Sequence, residues 1–133
     1  MKSRVLVVDG SRAMGRILKR KLNALGIETI EAASSNQALA KLNRYQITLI
    51  TTALLLPDED GLSFIRAVRQ SQLHSHTPVF VVSSDKRVGS DLDPRGDLGI
   101  SEVIDKSQGL DFLIDRIVAS CAQHELPEEL IAG

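Results

Sequence analysis

The sequence predicts an α/β domain built on a doubly wound, five-stranded parallel sheet. Three observations lead there. Short β-branched runs alternate with longer segments whose apolar residues recur every three or four positions. The runs Val5-Leu6-Val7-Val8 and Val79-Phe80-Val81-Val82 lack the polar alternation of a half-exposed strand, so they read as strands covered on both faces. Finally, 133 residues with 43% hydrophobic and 25% charged side chains make one domain of ordinary globular composition. Parallel strands need crossover connections, which helices supply in the right-handed sense.

Each element has its own warrant. After the first strand, Ser11 caps a helix to about Leu25, with Met14, Ile17, Leu18, Leu22 and Leu25 on its apolar side and Gly26 at its end. Ile27–Glu31 is the second strand. Ser34 or Ser35 then opens a helix carrying Ala38, Leu39 and Leu42. Ile47–Thr52 is the third strand, ended by the loop Pro57-Asp58-Glu59-Asp60-Gly61, and Leu62, Ile65, Ala67 and Val68 mark the third helix. Thr77-Pro78 introduces the fourth strand. Between Lys86 and Gly99, Gly89, Pro94, Gly96 and Gly99 predict a short or irregular fourth helix, because each interior glycine costs about 1 kcal/mol relative to alanine and proline more. Glu102–Asp105 is a short fifth strand, and Leu110–Cys121 a final helix with Leu110, Leu113, Ile114, Ile117 and Val118 inward. The domain is expected over 1–121, with 122–133 a tail, either a linker to a downstream domain or a capping extension.

Composition excludes several classes. No apolar run reaches the roughly 20 residues of a membrane span, and the start of the chain lacks the apolar core of a signal peptide. A single cysteine, Cys121, forbids an internal disulfide framework and suits a reducing cytoplasm, where it reads as a small packing residue. With no Trp, one Tyr and three Phe, stacking platforms for nucleic acid are missing. The net charge of −1 hides an asymmetry: up to Lys21 there are seven basic residues against Asp9 alone, and the remainder is acidic. That basic front end reads first as a solvated helix surface and second as an interaction face.

In an open parallel sheet, chemistry collects beyond the carboxyl ends of the strands. The residues there are Asp9-Gly10, Ala53, Ser83-Ser84 and Lys106. A phosphate-binding loop fails, because Gly10 and Gly15 are followed by Arg16 and Ile17 where Lys and a hydroxyl residue are needed. The dinucleotide fingerprint and the nucleophile elbow are both absent. His74 and His76 read as exposed loop residues without companion ligands, His124 belongs to the tail, and Arg95-Gly96-Asp97 is a coincidental tripeptide.

Four segments in order and spacing carry a resemblance: Val5 to Met14, Pro57-Asp58-Glu59-Asp60-Gly61-Leu62, Pro78 to Ser83, and Asp105-Lys106. Together they resemble the receiver domain of two-component response regulators, of the chemotaxis type, over the chain to about Cys121. The resemblance implies a flavodoxin-like (βα)5 fold with strand order 2-1-3-4-5. It also implies a site in which two acids after the first strand and an Asp after the third bind Mg²⁺, the latter accepting a phosphoryl group from a histidine kinase. Asp9 matches the first acid, Ser83 the hydroxyl after the fourth strand and Lys106 the lysine after the fifth.

Three positions depart from that pattern. Gly10 stands at the second acid, Ala53 at the phosphoacceptor and Ser107 where a proline usually follows the lysine. An alanine cannot form an acyl phosphate, and Thr51, Thr52 and Leu54–Leu56 offer no neighbouring acid. Asp58 and Asp60 lie beyond the strand end and make poor substitutes. Mg²⁺ binding is therefore expected to be weak or absent. Asp9, deprived of its carboxylate neighbours, is expected either to pair with Lys106 or to stay solvated at a pocket rim.

The leading expectation is a non-enzymatic receiver that has lost phosphoryl transfer and works by protein interaction or dimerisation. The alternative is a sensor of a small ligand or anion in the vacated pocket. An α/β enzyme of unrelated chemistry ranks last, because no nucleophile with an acid–base pair can be assembled. The resemblance implies a histidine kinase, phosphotransfer or output domain, or a second copy, as partner. The first helix, with Met14 near an exposed start and the basic stripe Arg12, Arg16, Lys19 and Arg20, is the expected partner face. Nucleic acid and membrane are not expected partners of this domain alone.

Overall fold

A computed structural model of the chain describes residues 3–84, 96 and 98–124. Five parallel strands, β1 (Arg4–Val8), β2 (Glu28–Ala32), β3 (Leu49–Ala53), β4 (Val79–Ser83) and β5 (Ile100–Asp105), form one sheet in the order β2-β1-β3-β4-β5. Helices α1 (Arg12–Ala24), α2 (Ser35–Leu42) and α3 (Gly61–Gln70) follow the first three strands, and α4 (Leu110–Gln123) follows β5. The irregular helix expected over 86–99 lies outside the described residues, apart from Gly96, Leu98 and Gly99; so do most of the 122–133 tail and the tripeptide at 95–97.

The two-residue strand period sorts side chains onto two faces. Val5, Val7, Leu49, Phe80, Val82 and Ile104 pack with Leu18 and Leu22 of α1 and Leu113, Ile114, Ile117 and Cys121 of α4. Leu6, Val8, Ile50, Val79, Val81 and Ile100 pack with Ala38 and Leu42 of α2 and Phe64, Ile65 and Val68 of α3. Each face is thus covered by helices, and the central strands carry no polar alternation because neither side meets water. Between β4 and β5 the register shifts at Val79/Phe80, which lets β5 start at Ile100, two residues before the expected Glu102.

Caps act as the sequence indicates. The Ser11 hydroxyl accepts from the Met14 N–H at 3.5 Å and the Ser34 hydroxyl from the Gln37 N–H at 3.2 Å. Gly26, with φ +82°, turns the chain out of α1 in a conformation that side-chain-bearing residues rarely adopt.

Several inward assignments need correction. Ile17 (45% exposed), Leu25 (58%) and Val118 (37%) face solvent, since a helix on a sheet buries only the centre of its apolar arc. Phe64, not singled out by its pattern, is fully buried in α3. Met14 is half-buried against the core under α1, so it is not an exposed contact. His74, expected in an exposed loop, is 1% exposed: the α3–β4 turn folds beneath the sheet, and the imidazole stands in for an apolar side chain. The final helix continues to Gln123, with His124 as its C-cap.

Candidate functional site

The carboxyl edge of the sheet brings the candidate residues together. Strands β1, β3 and β4 are neighbours, so Asp9, Ala53 and Ser83 line up side by side, and Lys106, beyond β5, reaches back across them. Its Nζ donates to Asp9 Oδ2 at 3.2 Å. The pair is partly buried, with the Asp9 side chain 12% exposed and that of Lys106 31%. The second oxygen of Asp9, Oδ1, accepts from the Ser11 N–H at 2.8 Å and so ties the site to the start of α1. The ion pair expected from the sequence is present.

The other two acid positions of the resemblance offer no oxygen. Ala53 ends β3 with a buried methyl group. Gly10 is exposed, and a Cβ there would stand 3.3 Å from the Pro57 ring, which would have to give by a few tenths of an ångström. A Mg²⁺ ion takes near-octahedral oxygen coordination. Of the three acid positions of the resemblance only Asp9 carries a carboxylate, with both oxygens already engaged, and no group of three acidic, His or Cys ligands occurs among the described residues. This donor set does not fit Mg²⁺.

The loop between β3 and α3 holds residues that sequence reasoning undervalued. Asp58 accepts from the N–H groups of Ser35 and Asn36, both at 2.9 Å, and so caps α2 from another part of the chain. Those two N–H groups, Asn36 first, hold its carboxyl below the usual range. Glu59 accepts from the Ser35 hydroxyl. Asp60 caps α3, accepting from the Ser63 N–H at 2.8 Å and from its hydroxyl at 3.0 Å, and the same bonds lower its pKa. Gly61 is required by contact: a Cβ would overlap the Ala53 carbonyl oxygen, and its N–H donates to Leu54 at 2.7 Å. The signal for Asp60 and Gly61 was legible as an N-cap before an apolar helix. The Asp58 contact spans 22–23 positions and has no local signature.

Ser107 has a local rationale. Its N–H donates to Asp105 Oδ1 at 2.8 Å, and the Gln108 side chain accepts from the Asp105 N–H at 3.2 Å. This capping box closes a short 3₁₀ turn, Lys106–Gln108, and proline at 107 would have no N–H to give it. Lys106 therefore leaves the sheet from a fixed turn. A cleft of about 620 Å³ opens beside the ion pair, walled by Leu54, Leu55, Leu62 and Val82, with Arg66 at its margin. Leu55 is 84% exposed there.

On α1, Arg12, Arg16, Lys19 and Arg20 are all exposed. The large hydrophobic residue exposed among them is Ile17, in place of the expected Met14.

A five-stranded 2-1-3-4-5 sheet with Asp9, Ser83 and Lys106 at its carboxyl edge defines a signalling receiver fold. The chain belongs to the response regulator receiver domain family, whose profile matches residues 5–118. It is similar to the KDP operon transcriptional regulatory protein KdpE of Escherichia coli K12, at 32% identity over 120 residues, which is 90% of this chain and 52% of that protein. It is also similar to the chemotaxis protein CheY of Pseudomonas aeruginosa, at 32% over 85 residues, 63% of this chain and 68% of that one. Among solved structures, a response regulator receiver protein from Pseudomonas putida superposes with a TM-score of 0.79 at 28% identity, covering 90% of this chain and 98% of the other. A CheY-like receiver domain protein from Methanospirillum hungatei gives 0.81 at 22%, covering 94% and 98%, and shows the fold. The chain spans about half the length of KdpE.

Proposed function

We propose that this receiver domain signals by binding alone, without phosphoryl transfer. The observation that carries the reading is Ala53 at the end of β3, beside an Asp9 held by Lys106. Phosphoryl transfer depends on metal and electrostatic positioning, and the donor set described above supports neither a metal nor an acyl phosphate. The ion pair occupies the place where a charge change would be sensed, so the domain holds one signalling state. Titrating Mg²⁺ to millimolar concentrations should leave the amide resonances of Asp9, Gly10 and Ala53 unmoved; saturable shifts at those residues would overturn the reading.

The partner is a protein: a histidine kinase, a phosphotransfer or output domain, or a second copy of this chain, in a cytoplasmic setting. The exposed stripe Arg12, Arg16, Lys19 and Arg20, with Ile17 among it, suits an acidic amphipathic helix. Reversing charge at Arg16 and Lys19 should weaken that complex about tenfold or more and flatten its salt dependence. Unchanged affinity would count against this face.

The cleft beside Lys106 favours a second reading, a sensor of a small acidic ligand with an apolar body that meets Arg66 and the leucines. A thermal shift with carboxylate or phosphate compounds that disappears in Lys106→Ala would support it, since a native-state ligand raises the melting temperature.

A further inference from the structure

The chain's three histidines gather at the edge of the sheet opposite Lys106. His76 and His124 line a cleft there with Gln46, Thr48 and Pro78, and His74 lies buried next to it. Its Nε2 accepts from the Ile47 N–H at 3.3 Å, which puts the proton of the neutral ring on Nδ1. Nδ1 is also buried and makes no regular hydrogen bond, the Tyr45 carbonyl being the acceptor that acts on the ring. Ile47 precedes β3, and His74 lies in the turn that precedes β4. One ring therefore joins the starts of the two strands whose far ends present Ala53 and Ser83.

The charged groups around this corner are mainly cations. From α3, Arg69 donates to the carbonyls of His74 (3.4 Å), Ser75 (3.3 Å) and Thr77 (2.7 Å), and across to Leu98 (2.8 Å) and Gly99 (3.1 Å). From β1, Arg4 donates to the Gln46 carbonyl at 3.2 Å, and Arg44 sits over the Tyr45 ring. Glu28 is engaged by Arg4 at 2.9 Å. In the same turn the His76 ring stands 3.2 Å from the Ser75 hydroxyl, and α4 contributes His124 to the cleft.

We propose that His74 is a proton-sensitive staple: its neutral ring fastens the starts of β3 and β4, and its protonation releases that corner of the sheet. An imidazolium has no acceptor atom, so the Ile47 N–H would face a second buried donor in place of its partner. Burial already holds the ring below the ordinary histidine value of 6.5, against a smaller opposing effect of the Tyr45 carbonyl. With the folded value depressed, the staple is fully in place above the unfolded value and is lost as pH falls through the folded one. Releasing the corner loosens the two strands that position the candidate site, which makes protonation of His74 a regulator of this domain.

The test is an NMR titration of the ¹⁵N-labelled chain from about pH 8 to about pH 5, with hydrogen-exchange protection read at Ile47. His74 should be the Nδ1–H tautomer at neutral pH and should protonate below the same ring in the urea-unfolded chain. Protection at Ile47 should drop about tenfold in step, while Leu6 and Val8 of β1 keep theirs. His74→Gln, which keeps an acceptor but takes up no proton, should make Ile47 protection independent of pH. The proposal is overturned if His74 titrates as in the unfolded chain, if Ile47 protection ignores its protonation, or if the pH response survives in His74→Gln. Should that variant fail to fold, the wild-type titration decides alone.

Discussion

At the scale of the residue, Asp9 and Lys106 are 97 positions apart in sequence, and each supplies the charge the other needs at an edge that is only partly open to water. A double-mutant cycle with Asp9→Asn and Lys106→Met should give a coupling energy of about 1 kcal/mol, at the upper end for pairs of this exposure; zero coupling would mean the two are merely adjacent. His74 makes a sharper contrast between sequence and structure. A histidine in the polar run Gln70–Thr77 gives no periodic hint of burial, because what buries it is the turn held down by Arg69 through carbonyls from two separate segments. Replacing it with alanine strands the Ile47 N–H and should cost about 1–3 kcal/mol in denaturant unfolding at neutral pH. Ala53 and Gly10 were legible at once, since a missing carboxylate is a fact of sequence. The nearness of the Pro57 ring to Gly10 was not.

At the scale of the element, strands and helices were readable because apolar period and local caps agree. Their margins were less so: Ile17, Leu25 and Val118 share the apolar spacing but lie off the buried centre of their helices. The β3–α3 loop is the element where structure adds most. Asp58 and Asp60 fasten it to the starts of α2 and α3 with carboxyls held below their usual range. Their contribution is complete above the unfolded carboxylate range and is lost as pH falls through the depressed folded values. Asp58→Asn and Asp60→Asn should therefore each lower the melting temperature at pH 7, and the difference from wild type should shrink below about pH 3. A constant difference at all pH values would remove the carboxylates from the explanation. Gly61→Ala drives a methyl group into the Ala53 carbonyl and should cost about 1–3 kcal/mol, with the loss confined in amide exchange to β3 and α3.

At the scale of the whole molecule, the sheet order is what makes the site. It sets β1, β3 and β4 side by side, so three strand ends remote in sequence share one edge, and it leaves the opposite edge to the histidines and Arg69. The proposed partner face is the basic stripe of α1, on a chain whose remainder is acidic. At this edge we propose a standing ion pair in place of phosphoryl transfer. Intact-mass measurement of the chain after incubation with Mg²⁺ and acetyl phosphate tests it most directly. A single unmodified species is expected at every time point; a phosphorylated adduct that maps to Asp9, Asp58, Asp60 or Ser83 would contradict the proposal.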